Sequence, residues 1–158
     1  LADYVVSVLA RKVLCYWRTR DEAWLGRTPF GTLEGPKVML INERAGSGGD
    51  AMPWMFKQLG LGTLVGTRTW GGLVGISGYP ELMDGGSVTA AAFGIQDRDG
   101  NWIVENVGVA PDLEVVEVPK DFIAGRDAQL EAAVRVALEA LEKSPPKEPP
   151  CYRCPTPR

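Results

Sequence analysis

A chain of 158 residues, 45% hydrophobic and 23% charged, has the composition of a globular domain and enough length to bury a core of its own. Its net charge of −3 is spread without a Lys/Arg block, which weighs against a nucleic-acid partner, and no apolar run approaches the roughly 20 residues that cross a bilayer. There is no histidine, so an imidazole base or imidazole metal ligand has to come from elsewhere, and three cysteines do not suit a disulfide framework.

Leu1, Val5, Val8 and Leu9 recur at helical spacing and predict that the chain opens inside an amphipathic helix. Lys12 to Arg20 alternates, with Val13, Cys15 and Trp17 on one side, and reads as a strand that puts Cys15 in the core. Residues 21–36, rich in Gly, Pro and Thr, read as a surface loop. Lys37 to Ile41 has the pattern of a strand buried on both faces. It leads through the loop Asn42-Glu43-Arg44-Ala45-Gly46 to Ser47 and a helix ending near Gln58, with Pro53 expected in its first turn.

Gly60 and Gly62 close that helix, and Thr63 to Gly66 begins another short strand. The glycine-dense Gly71 to Ile76 segment suits tight turns or close approach by a ligand. Ser87 to Ile95 and Trp102 to Glu105 read as strands, with Asp97-Arg98-Asp99-Gly100 as the turn between them. Leu113 to Val118 is a last strand, and Leu130, Val134, Leu138 and Leu141 mark one face of a closing helix. From Ser144 onward six prolines in fifteen residues predict an extended or disordered tail, giving a domain over 1–142 and a tail over 143–158. Cys151 and Cys154 form a lone C-x-x-C there, half a zinc site at best, so no metal is expected. With neither an initiating Met nor a basic leader, the chain reads as part of something longer. The element order favours an α/β domain whose chemistry sits on loops after parallel strands.

Lys37 to Gln58 concentrates the information, because it delivers a serine from a strand, through a glycine-flanked turn, to a helix N-terminus. The first N–H groups of a helix lack intrahelical partners and can stabilise a developing oxyanion, with that of Gly48 as the natural first donor. Ser47 is then either a nucleophile or an ordinary helix cap. The relaxed dinucleotide fingerprint Gly46-x-Gly48-x-x-Ala51 is disfavoured, since Val65-Gly66-Thr67-Arg68 holds no carboxylate for a ribose, and no P-loop Gly-Lys-Ser/Thr follows.

The stretch Asn42-Glu43-x-Ala45-Gly46-Ser47-x-Gly49-Asp50 resembles the nucleophile segment of the tricorn proteases, within the wider tail-specific (C-terminal processing) peptidase group. The similarity continues through Phe56 to Gly62 and Gly66-Thr67-Arg68-Thr69-Trp70-Gly71-Gly72. It resumes at Val104-Glu105-Asn106-x-Gly108-Val109-x-Pro111-Asp112, so that it covers roughly residues 1–142. The resemblance implies a Clp-protease/crotonase-like sheet with flanking helices. It implies Ser47 as the catalytic serine, the Gly48 N–H as one oxyanion donor (the family usually has Asp there), and a second glycine donor falling just before Leu1. It also implies that Glu105 polarises a catalytic histidine through a second serine, both supplied by an upstream module of the polypeptide; on residues alone, a solvated charge at a strand end is the favoured reading of Glu105.

The group's other mechanism, a Ser–Lys dyad, is disfavoured because Gly72 stands where the lysine belongs. Gly75 and Ile76 are candidates for pairing with an extended peptide, or form a plain turn. The expected function is that of a serine endopeptidase or oligopeptidase acting on peptides without metal or organic cofactor. The alternative is a peptide-binding or assembly module of the same fold. Assembly into a homo-oligomer rests on the family alone. Any targeting signal falls on the upstream part, which leaves the compartment open, with the cytoplasm favoured.

Overall fold

The structure, a computed structural model, describes residues 1–19, 24–77 and 80–145. The elements follow in the order α1 (Ala2–Leu9), β1 (Cys15–Arg18), β2 (Trp24–Thr28), β3 (Val38–Ile41), α2 (Gly48–Gln58) and β4 (Thr63–Gly66). Then come β5 (Gly75–Ile76), β6 (Ala91–Phe93), β7 (Leu113–Glu114), α3 (Pro119–Ile123) and α4 (Ala128–Lys143).

The centre is a parallel sheet in the order β3-β4-β7, with Met39 opposite Leu64 and Val65 opposite Leu113. Successive strand residues face opposite sides, so the two fully buried neighbours Leu64 and Val65 anchor two separate cores. Leu64 packs with Ile41, Phe56, Leu73, Val104 and Val109, beneath α2 and the end of α1. Val65 packs with Ala132 and Ala133 of α4 on the other face. Helices therefore cover both faces, the α/β arrangement expected from the element order. Parallel strands need crossovers, and α2 supplies the one between β3 and β4. Its exit is a helix-ending glycine, Gly60 at φ +59°.

Several elements depart from expectation for identifiable reasons. The 21–36 stretch holds β2, which pairs antiparallel with β1, and the Trp17 indole N–H donates to the Thr28 hydroxyl at 2.7 Å. That pairing turns Cys15 and Trp17 outward and half-buries Tyr16 and Arg18, so Cys15 is exposed rather than core. β3 is an edge strand with Leu40 on its surface; the strand buried on both faces is β4. Pro53 is the sixth residue of α2, beyond the first turn, and is buried.

The strands read at 87–95 and 102–105 shrink to β6 and two isolated bridges, Glu81 to Ser87 and, across the Asp97 turn, Gln96 to Trp102. Asp97 holds that turn by accepting from the N–H groups of Asp99 and Asn101. Only Leu113–Glu114 pairs at the last strand, and α3 with Pro119 in its first turn was not foreseen. In α4 the face against the sheet is Gln129, Ala132 and Ala133, whereas Leu130, Val134, Leu138 and Leu141 lie on the exposed side. Small residues let the helix approach the strands, and the Gln129 amide is satisfied by the Val115 carbonyl. Cys151, Cys154 and most of the expected tail lie outside the described residues.

Candidate active site

Ser47 sits between β3 and α2, exposed, as the residue preceding the first helical position. Its backbone holds φ +52° and ψ −112°, a region that side chains other than glycine rarely occupy. The turn is fixed by the Ala45 N–H on the Asn42 carbonyl at 3.0 Å and the Gly49 N–H on the Gly46 carbonyl at 2.8 Å. Ser47 makes no side-chain cap hydrogen bond, which removes the plain capping explanation for this residue. The Gly48 N–H has no acceptor among the described residues, and a Cβ added at Gly48 would meet open space. The site can thus take the Asp that the resemblance places there without losing the amide.

The 71–74 segment is held by two carboxylates acting in series. Asp50, in the first turn of α2 and fully buried, accepts from the Gly71 N–H at 2.9 Å through Oδ1 and from the Gly72 N–H at 3.0 Å through Oδ2. Glu105 accepts from the Leu73 and Val74 N–H groups, both at 2.7 Å, through Oε2 alone. The same segment returns two bonds through its carbonyls. Ser47 N–H donates to Gly72 at 2.9 Å, and Asn106 N–H donates to Gly71 at 2.7 Å. Glu105 is flanked by Val104 at φ +68° and Asn106 at φ +60°. A positive φ at a β-branched, buried valine is a costly conformation, held here by the surrounding bonds.

Trp70 lies over the same turn. A Cβ on Gly46 would stand 2.5 Å from its ring, and one on Gly72 2.6 Å. The indole fills the space that a side chain at Gly72 would need. The two lysines nearest Ser47 in sequence are engaged elsewhere. Lys57 bonds Asp112 at 2.9 Å and the Ala110 carbonyl at 3.2 Å, and Lys37 bonds the Gly35 carbonyl at 3.3 Å.

Gly75 and Ile76 form β5, paired antiparallel with β6, Gly75 opposite Phe93. The Phe93 ring lies on Gly75, so that glycine makes room for an aromatic side chain of this chain. Beside this pair a cavity of about 530 Å³ is lined by Val74, Phe93, Trp102, Glu105 and Asn106. Among the described residues no cluster of His, Cys, Asp and Glu is arranged to hold a metal. No described helix is long and apolar enough to cross a membrane.

Two further motif residues act on the frame. Thr67 donates its hydroxyl to Glu43 at 2.8 Å, tying the ends of β3 and β4. The Glu43 main-chain N–H and this hydroxyl hold its carboxyl below the usual glutamate range. Asp112 accepts from the Leu64 N–H at 2.8 Å and pairs with Lys57, joining β4, α2 and the start of β7. Asp50 and Trp70 had no assigned role from sequence reading. The available signal was their presence in the matching stretches, a charge on the Pro53 and Phe56 face of the helix in one case and an aromatic directly before two glycines in the other.

The model of peptidase family S41 matches residues 8–115. Tricorn protease homolog 1 of Streptomyces coelicolor is 47% identical over 149 residues, 94% of this chain and 14% of the relative. Tricorn protease of Thermoplasma acidophilum is 38% identical over 141 residues, 89% of this chain and 13% of the relative. A crystal structure of the tricorn protease superposes with a TM-score of 0.83 at 38% identity, over 89% of this chain and 14% of that one. The chain therefore spans about one seventh of the length of these relatives. With a family model matched over more than half its length and tricorn-type relatives along most of it, the chain belongs to peptidase family S41.

Proposed function

We propose that this chain is the nucleophile-bearing part of a tricorn-type serine peptidase acting on peptides, on a Clp-protease/crotonase-like scaffold. The observation that carries the reading is Ser47 itself. It is exposed, strained and uncapped at the N-terminus of α2, and the Gly48 N–H beside it has no acceptor among the described residues.

Ser47 Oγ attacks the peptide carbonyl carbon as its proton passes to an imidazole supplied by the upstream module. The Gly48 N–H and a glycine N–H upstream of Leu1 hold the oxyanion. Collapse breaks the C–N bond, the imidazolium protonates the leaving amine, and water then releases the acyl group by the reverse proton path. Glu105 favours the imidazolium through a serine relay. Its Oε2 is committed to the Leu73 and Val74 amides, so Oε1 is the oxygen left for the relay. Gly75 and Ile76 offer the edge of β5 that is unpaired among the described residues to an extended substrate.

The test is Ser47→Ala in the polypeptide that carries the upstream module. Hydrolysis and labelling by a fluorophosphonate are both lost. Stability changes by less than the ~1 kcal/mol that loss of a working cap costs, because Ser47 makes no cap bond. Near-normal hydrolysis by the variant moves the nucleophile elsewhere.

A further inference from the structure

We infer that Asp50 is a positioning residue for Ser47, acting through the Gly71–Gly72 backbone. The local sequence Ser47-Gly48-Gly49-Asp50 has the spacing of a capping box, in which the serine side chain takes the N–H three residues on and the acid reaches back to the serine N–H. Neither half of the box forms. Ser47 makes no side-chain cap bond, and Asp50 turns away to accept from Gly71 and Gly72 at 2.9 and 3.0 Å. The Ser47 N–H is taken instead by the Gly72 carbonyl at 2.9 Å. Asp50 thus holds the peptide segment that replaces it at the serine, and the serine hydroxyl is left free of any capping duty.

The geometry explains why the acid is buried and why it is an acid. Both its oxygens accept main-chain N–H groups, and a carboxylate in the first turn of a helix is favoured by the helix dipole. An amide there presents an NH₂ to one of the two N–H groups, donor against donor, and pushes Gly71 or Gly72 away. The Gly72 carbonyl moves with it, and Ser47 loses the bond that helps hold its positive φ. Its hydroxyl can then relax into the cap. Misplacing a nucleophile by about 1 Å costs on the order of 10² in rate.

This inference rests on Ser47 being the nucleophile, and the experiment separates the two. In the polypeptide with its upstream module, active sites are counted by stoichiometric fluorophosphonate labelling, and kcat is expressed per labelled site. Asp50→Asn is expected to lower kcat per labelled site about 10- to 100-fold with KM within about threefold. A merely structural role lowers the number of labelled sites and leaves the rate of each unchanged, which overturns the proposal. If the wild type itself takes no label at Ser47, it is the nucleophile assignment that has failed. Should Asp50→Asn not fold, hydrogen exchange of the wild type decides. The Gly71 and Gly72 amides, which lie outside any helix or strand, are expected to be protected at least 100-fold over free loop amides. Exchange at free-loop rates overturns the proposal.

Discussion

Ser47 and Glu105 are bonded to opposite sides of one peptide unit. The carbonyl of the Gly72–Leu73 peptide accepts the Ser47 N–H at 2.9 Å, and its N–H donates to Glu105 Oε2 at 2.7 Å. The two residues are 58 positions apart in sequence, yet a shift in either is transmitted to the other through a single rigid plane. A hydrogen bond at each end also polarises that peptide, which strengthens both.

The hold of Glu105 on the Leu73 and Val74 amides is separable from the catalytic charge role proposed for it, and two substitutions separate them. In Glu105→Gln the side-chain carbonyl can accept both amides, so the segment stays in place while the charge is lost. We expect kcat and kcat/KM to fall together by roughly 10- to 10³-fold, less than the ~10⁴ of a directly orienting carboxylate. The melting temperature should barely move. Glu105→Ala leaves the Leu73 and Val74 N–H groups without an acceptor and should add a stability loss of about 1–3 kcal/mol. Equal melting temperatures for Gln and Ala would remove the holding role, and full activity in Gln would remove the catalytic one.

If the base lies in an upstream module, as proposed, this chain alone should not turn over peptides measurably. A serine hydroxyl is a weak nucleophile without a base, and this chain has no histidine to offer. Binding and oxyanion contributions leave at most about 10³–10⁴ over the uncatalysed rate. Adding the separately produced upstream module should restore Ser47-dependent hydrolysis. Robust cleavage by the 158-residue chain alone, lost in Ser47→Ala, would contradict the division of labour.

Gly72→Ala tests the packing of Trp70 against the serine turn. Its Cβ would stand 2.6 Å from the indole, so the ring has to move or the backbone has to give. Trp70 is 69% exposed, so its ring can swing out, whereas the backbone carries the bonds to Ser47 and Asp50. We expect activity to drop about tenfold, by the sensitivity of rate to nucleophile placement, and Trp70→Ala to restore part of it in the double variant. Independent, multiplicative losses in a double-mutant cycle would show that the two residues do not interact.

These relationships show where sequence reasoning reaches its limit. The strand–turn–serine–helix path was legible because each step is local: an apolar run, a glycine-flanked turn, a helix start. Pairings that close over distance left weaker marks. β2 is short, carries Gly26 at its middle and is defined by its register with β1, so its composition reads as loop. The closing helix misled because Leu130, Val134, Leu138 and Leu141 look like a core stripe, while the sheet accepts the alanine face. Glu105 was placed in a strand because the pattern hides what a positive φ at Val104 does to the chain.

The last prediction concerns Asp112, which lies beyond the Ser47 turn and joins β4, α2 and the start of β7. Burial on its own pushes this carboxyl up, but the Leu64 N–H and Lys57 outweigh it and hold the group below its ordinary range. A depressed pKa in the folded state means that the stabilising contribution is fully present above the unfolded value of about 3.9. It is lost as the pH falls from there through the folded value. The Lys57 pair contributes little by itself, since its side chains are 43% and 37% exposed and water screens them. The bond to the Leu64 N–H, between a carboxylate and a strand whose leucine is fully buried, is the larger part. Asp112→Asn keeps one acceptor for that N–H and loses the charge, so we expect a loss of about 1–2 kcal/mol at neutral pH. The variant and the wild type should converge on acidification, because a protonated aspartate offers Leu64 and Lys57 little more than an asparagine does. Denaturant midpoints measured between about pH 7 and pH 2.5 read this directly. A gap that stays constant down to the lowest pH would mean that the charge of Asp112 does not stabilise the fold and that its shape alone matters.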